Sequence, residues 1–355
     1  TPNTEKERVC DCVCVCVCVC VCVFVLQTRE RGGGMVGVHH VQRGLRTRWA
    51  GRWLWYCGGT VRSTQDVAGA WQCPPHGGLF LAEAQSAGRG RRGRGFVSLP
   101  SASSADSHTH THTHNSSDPS GGEVFDLREE VWDPSSLQAD KHPVEGNLFM
   151  SMVLRDLTPS QAWKVNIATV LAVTKACREV TGVDARIKWP NDVLVDGRKL
   201  SGILVDAQMQ TANPAKLDAI LGIGVNVICH PGETVESLRG ITTSIAAEMA
   251  AMVNPPEVEN LRESLLAAIC NYLEELVDHT PQEELLDEYT DLNMLLGEKV
   301  VVGEFPEGVS SGSMQNIVVQ GTAVGLSPTG QLLVRREGED TVETITAGDV
   351  SVRPH

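Results

Sequence analysis

From residue 146 onwards the apolar positions of the chain change period several times. "GNLFMSMVLRDL" (146–157) mixes apolar and β-favouring residues and predicts a strand. Thr158, followed by Pro159 and Gln161, predicts a capping-box helix start. Ala162, Val165, Thr169, Ala172, Val173, Ala176 and Val180 then hold one stripe at helical spacing as far as Gly182. "RIKWPNDVLVDGRKLSGILVDAQ" (186–208) reads as two strands joined at the Asp196-Gly197 turn. "LDAILGIGVNVIC" (217–229) reads as another, with Gly222 and Gly224 marking a place where some group approaches the backbone closely. Helices are predicted over 257–278, on Leu261, Leu265, Ala268, Ile269 and Leu273, and over 281–296. From Gly297 the texture changes to short strand-like runs, "EKVVVGEF", "IVVQGTAVGL", "QLLVRRE" and "TVETITAGDVSVR", broken by turn signals such as Ser327-Pro328-Thr329-Gly330. That pattern predicts a small β-barrel.

Two stretches break the periodicity. Residues 101–143, rich in Ser, His, Asp and Pro, are expected to be a disordered insertion. Residues 1–55 are expected to be a low-complexity, disordered N-terminal segment, although Arg43, Arg46, Arg48 and Arg52 without an acid between Met35 and Trp55 faintly resemble an organellar presequence. The division that follows is a larger α/β unit over 56–296 and a barrel over 297–355.

Charge narrows the partners. The chain of 355 residues carries a net charge of -14, and residues 56–355 are more acidic still, with 22 basic and 40 acidic residues. A general nucleic-acid surface does not fit that balance. The apolar run Cys12–Leu26 is shorter than the roughly 20 residues that span a bilayer, so no membrane helix is expected.

Seven of the twelve cysteines lie in "CDCVCVCVCVCVCV" and the other five, at 57, 73, 177, 229 and 270, are scattered. This is neither a disulfide framework nor a zinc signature, and the scattered five read as free thiols in a reducing compartment. The Cys-Val run and "HTHTHTH" (108–114) are each what a dinucleotide repeat encodes, TG in one case and its complement CA in the other.

Against this acidic background stands a basic loop. Gly88 to Gly95 packs four arginines and four glycines into eight positions. Unobstructed backbone N–H groups and forked guanidinium donors suit such a loop to a phosphate or a carboxylate. Arg-Gly tracts also occur in RNA-binding tails. Here, however, the tract lies between the apolar segments "GGLFLAEAQ" and "FVSLP", with "STQDVA" (63–68) upstream and "KWPNDVLVDGRKLSGILVD" (188–206) and "GIGVNV" (222–227) downstream.

That set, in that order, resembles the biotin protein ligases, also called biotin–acetyl-CoA-carboxylase ligases or holocarboxylase synthetases, over residues 60–353 apart from the insertion. The resemblance implies an α/β (α+β) fold: a catalytic domain with a mixed sheet akin to class II aminoacyl-tRNA synthetases, then a C-terminal SH3-like β-barrel. It implies condensation of biotin with ATP, with Mg2+, to biotinyl-5'-AMP, and transfer of biotin to a lysine of the biotin carboxyl carrier domain of acetyl-CoA carboxylase or a related carboxylase. A cytoplasmic location is the first expectation, with plastid or mitochondrion as alternatives.

Residue by residue, the resemblance puts the biotin-pocket pair on Ser63 and Thr64, whose hydroxyls both donate and accept. Gln65 stands where most of the family has Asn. Gln85 matches the pocket glutamine, and Arg89, Gly90 and Arg91 match the loop over biotin and the adenylate, with Arg91 offsetting the repulsion of two anions. Lys188 matches the catalytic lysine near the biotin carboxylate and the α-phosphate, and Asn226 is an adenylate contact. Asp192 either positions Lys188 or finishes a turn. Taken from the residues alone, Ser63 and Thr64 could equally cap a helix beginning near Gln65. The competing classes are a lipoyl or octanoyl transferase, which lacks the pairing of "GRGRRGR" with "KWPND", and an Arg-Gly RNA-binding module.

Overall fold

The computed structural model describes Val13–Cys14, Val23–Leu26 and residues 38–61, 63–70, 75–85, 88–89, 95–96, 146–233, 235–304, 315–346 and 348–352. The 101–143 segment, Cys73, Gly90 and Arg91 lie outside these residues.

The first part of the chain supplies β1 (Val13–Cys14), β2 (Val23–Leu26), helix α1 (Val38–Gly44), β3 (Leu54–Val61), helix α2 (Thr64–Ala70) and β4 (Gly78–Gln85). The short strands β5 (Gly88–Arg89) and β6 (Gly95–Phe96) pair antiparallel at the base of the arginine loop. Then come β7 (Leu148–Leu157), α3 (Pro159–Thr181), β8 (Arg186–Lys188), β9 (Asp192–Val195), β10 (Arg198–Met209) and β11 (Leu217–Val225). Nine of these strands make one mixed sheet in the order β1-β2-β3-β4-β7-β11-β10-β9-β8, parallel at β2–β3 and β3–β4 and antiparallel elsewhere. Helices α4 (Ile245–Ala250), α5 (Leu261–Asp278) and α6 (Gln282–Leu292) follow.

Alternation in β7 decides which side of the sheet is core. Leu148, Met150, Met152 and Leu154 point one way and are fully buried with Leu171 and Ala172 of α3 and Leu266 and Ile269 of α5. Phe149 and Ser151 point the other way, toward α2. α3 begins as its capping box requires, the Thr158 N–H donating to Gln161 Oε1 at 2.8 Å, and stops at Gly182.

The 186–208 stretch contains three strands rather than two. Pro190 has no N–H to give a ladder, so the chain folds back over 189–191 and pairs Lys188 with Asp192. The Asp196-Gly197 turn stands as expected, with φ of 47° and 74°. β11 ends at Val225: the Asn226 N–H still donates to the Leu200 carbonyl of β10 at 3.0 Å, but the next N–H groups, of Val227 and Ile228, turn to the Asn147 side chain. α6 stops at Leu292, before the predicted boundary, because Asn293 is extended and forms a bridge with Ile187.

The N-terminal expectation needs a larger correction, since residues 38–54 are folded. Val41, Leu45, Ala50 and Leu54 are buried in the core, and α1 packs on α5. The Glu274 carboxylate accepts the N–H groups of Arg48, Trp49 and Ala50 at 2.6, 2.7 and 2.9 Å. The arginines that resemble a leader thus decorate a packed segment.

A second, all-antiparallel sheet holds β12 (Lys299–Glu304), β13 (Gln315–Leu326), β14 (Leu332–Arg336), β15 (Val342–Ile345) and β16 (Asp349–Val352), in the order β15-β14-β13-β12-β16. The last predicted run is two strands, Val342–Ile345 and Asp349–Val352. Val300, Val302, Val319, Leu332, Val334 and Ile345 fill its interior, in keeping with an SH3-like barrel. Among the described residues no helix is long and apolar enough to cross a membrane.

Candidate active site

Ser63, Thr64 and Gln65 turn the chain from β3 into α2. Ser63 Oγ accepts the N–H groups of Gln65 and Asp66 at 3.2 and 3.4 Å, so it caps the helix start. The Thr64 N–H donates to Gln85 Oε1 at 2.8 Å, with Thr64 Oγ1 at 3.4 Å from the same atom. Ser151 Oγ donates to Thr64 Oγ1 at 2.8 Å. Gln65 Nε2 donates to the Leu204 carbonyl at 3.2 Å. Ser63, Thr64 and Gln65, all buried, and the half-buried Gln85, predicted from separate motifs, therefore form one polar cluster against β4, β7, β10 and β11.

The sheet beneath α2 is stripped of bulk. Register pairs Lys188 with Asp192, Asp192 with Gly202, Gly202 with Gly224 and Gly224 with Phe149, a row that shares one face. The parallel row two residues on runs Leu204, Gly222, Ser151 and Phe80. Gly222 thus lies beneath Gln65 of the cluster, and Gly224, Gly202 and then Asp192 lead along the row to Lys188. From β11 to β8 is about 14 Å at the usual strand spacing.

The strand end that carries Lys188 is braced from several sides. Ile203 donates its N–H to the Asn191 carbonyl at 3.1 Å, and Asn191 Nδ2 returns a hydrogen bond to the Ile203 carbonyl. Tyr289 Oη donates to the Pro190 carbonyl at 3.0 Å, and the Met294 N–H to the Ile187 carbonyl at 2.9 Å. Trp189, 4% exposed, donates Nε1 to the Gly330 carbonyl of the barrel at 2.9 Å. Asp192 forms an ion pair with Lys199 at 2.7 Å.

Asn226 is 4% exposed, and its Nδ2 donates to the Thr243 and Lys199 carbonyls at 3.0 and 3.5 Å. It ties the end of β11 to the segment before α4. Arg89 lies in β5, across from Gly95. Among the described residues no group of three or more His, Cys, Asp and Glu could hold a metal ion. The thiols of Cys177 and Cys270 are pushed up to about 12 by burial, which makes them core residues rather than nucleophiles.

Comparison with known proteins bears on this arrangement. The profile of the Biotin/lipoate A/B protein ligase family matches residues 139–226, and that of the Biotin protein ligase C terminal domain matches residues 314–353. In these two stretches the chain is similar to the biotin protein ligases. It is 36% identical over 107 residues to the bifunctional ligase/repressor BirA of Bacillus subtilis, covering 30% of this chain and 32% of that protein. It is 24% identical over 214 residues to BirA of Escherichia coli, covering 59% of this chain and 60% of that one. The chain therefore spans from about a third to three fifths of these relatives' length. In fold it is similar to a biotin protein ligase from Aquifex aeolicus solved in complex with biotin and ATP, with a TM-score of 0.54 and 22% identity over 85% of this chain and 99% of that one.

Within this fold two further residues belong to the cluster's framework. Ser151 is fully buried, and its signal is a lone hydroxyl in the otherwise apolar run from Leu148 to Leu154. Asn147 Oδ1 accepts the N–H groups of Val227 and Ile228 at 2.8 and 3.1 Å and so shapes the turn after "GIGVNV". Nothing in its local pattern marks a contact 80 residues away.

Proposed function

We propose that the chain is a biotin protein ligase that activates biotin with ATP and transfers it to a lysine of a biotin carboxyl carrier domain, of acetyl-CoA carboxylase or a related enzyme. The observation that carries this reading is the glycine-floored strip joining the Ser63, Thr64, Gln65 and Gln85 cluster to Lys188. A ureido ring needs donors and acceptors at one end of such a strip, and a carboxylate needs a cation at the other. In this reading Ser63, Thr64 and Gln85 address the ring, and the Lys188 ammonium draws the carboxylate and the α-phosphate together. The reading assigns Arg89, Gly90 and Arg91 to binding biotin and the adenylate, and Asn226 to the adenylate.

The first step joins a biotin carboxylate oxygen to the α-phosphorus and releases pyrophosphate. In the second, the carrier lysine's neutral amine attacks the mixed anhydride's carbonyl, AMP leaves and the amine's proton is lost. Lysine and arginine cations serve the first step because two anions must meet before the bond forms. Mg2+ enters with the nucleotide phosphates, which suits an ion that keeps several of its waters. We further propose that the catalytic unit ends near Gly297 and the barrel begins there.

The test is biotin-dependent pyrophosphate release by purified protein with Mg-ATP, together with labelling of a biotin carrier domain. Lys188→Ala should lower the adenylation rate by on the order of 10²-fold with an unchanged circular dichroism spectrum. A folded sample with no biotin-dependent release, or with equal turnover of lipoate, would overturn the reading.

A further inference from the structure

Gln65 is 5% exposed and spends its side-chain amide inside the protein, donating to the Leu204 carbonyl at 3.2 Å. To reach that carbonyl it crosses β11 at Gly222, the register partner of both Leu204 and Ser151. A Cβ at Gly222 would stand 2.5 Å from Gln65 Cδ and 2.9 Å from both Cγ and Nε2. Cβ atoms do not approach other atoms that closely, so the glutamine occupies the space that the glycine leaves. An asparagine, one methylene shorter, would leave part of that space open beside Thr64 and Ser151.

We propose that Gln65 and Gly222 form a steric pair that sets the size of the pocket beside Ser63, Thr64 and Gln85, with Gln65 a wall that discriminates ligands by bulk rather than a hydrogen-bonding partner of the ligand. The proposal rests on the ligase reading for the identity of the ligand, and its steric half stands without it.

The experiment compares wild type, Gly222→Ala, Gln65→Ala and the double variant in the full chain. Melting temperature is measured without ligand, and the affinities for biotin and for the bulkier biotin sulfone by calorimetry. Gly222→Ala should lower Tm by several degrees and weaken biotin by on the order of 100-fold, as overpacking does. Adding Gln65→Ala should restore at least half of each loss. Gln65→Ala alone should narrow the preference for biotin over the sulfone by about tenfold, the scale set by one small group added to a ligand. A double variant no more stable than Gly222→Ala overturns the steric pair, and an unchanged preference in Gln65→Ala overturns the wall. If wild type binds neither probe, the ligase reading and the discrimination fall together, while the Tm cycle still decides whether the two residues clash.

Discussion

Glu274 holds the turn at residues 48–50 of the folded N-terminal segment, beside the further contacts of Asn271 and Asp278, and its removal measures what that turn contributes. The side chain accepts three successive backbone N–H groups, from Arg48, Trp49 and Ala50. Ala50 is fully buried, so its N–H would be stranded without water, whereas those of Arg48 and Trp49 are better reached by solvent. At about 1–3 kcal/mol for an abandoned buried donor, and less for the other two, Glu274→Ala should cost on the order of 3–5 kcal/mol. The Arg48–Glu274 ion pair adds little, since Arg48 is 68% exposed. For a folded unit of this size the loss should lower Tm by about 10 °C in thermal circular dichroism. Hydrogen exchange at the Ala50 amide should accelerate with it.

Glu274→Gln keeps an acceptor without the charge and should cost about half as much. The pH dependence has a definite sign. Burial opposes the Glu274 carboxylate, and the N–H groups of Ala50, Arg48 and Trp49 with the Arg48 guanidinium outweigh it, so its folded pKa lies below the ordinary 4.5. The stability it contributes is fully present above 4.5 and is lost as pH falls through the lower folded value. The gap between wild type and Glu274→Gln should therefore be constant at neutral pH and narrow in acid. A Glu274→Ala loss under about 1 kcal/mol, or a gap that widens in acid, would refute the reasoning.

Further expectations concern the barrel contact, the thiols and the loop. Gly330 has φ of 76°, and a Cβ there would lie 2.4 Å from Ile167 Cδ1. Gly330→Ala should thus cost about 1–3 kcal/mol in thermal unfolding and, through Trp189, lower the adenylation rate. Cys177 and Cys270, with thiols near 12, should carry about one thiolate in ten thousand at pH 8. Peptide mapping after iodoacetamide should find them unmodified in native protein and fully modified in denaturant. Arg91→Ala should slow adenylation by on the order of 10²-fold, and biotin with ATP should protect residues 88–95 from limited proteolysis. Replacing residues 101–143 with a short Gly/Ser linker should leave most of the activity in the pyrophosphate assay.

Short-range rules made several parts of this protein legible from sequence. α3 announces itself because its cap and its stripe are local, with Thr158 and Gln161 three residues apart. The Asp196-Gly197 turn needs only two residues able to adopt positive φ. Ser63 reads equally as a ligand contact and as a helix cap, and it does cap α2. The association of "STQDVA", the arginine loop and "KWPND" carried the resemblance to the biotin protein ligases, because residue types in a fixed order are a property of the chain itself.

Meetings between distant residues required the tertiary structure. Thr64 and Gln85 are 21 residues apart and Gln65 and Leu204 are 139 apart, so only the sheet's register brings them together. Glu274 reaches back 224 residues to Ala50, and that contact turns a leader-like arginine segment into part of the core. Trp189 meets Gly330 only because a barrel turn docks beside α3. Periodicity shows which face of an element is apolar, but the element that covers it, and at which register, is settled when apolar area is buried and buried polar groups find partners across the whole fold.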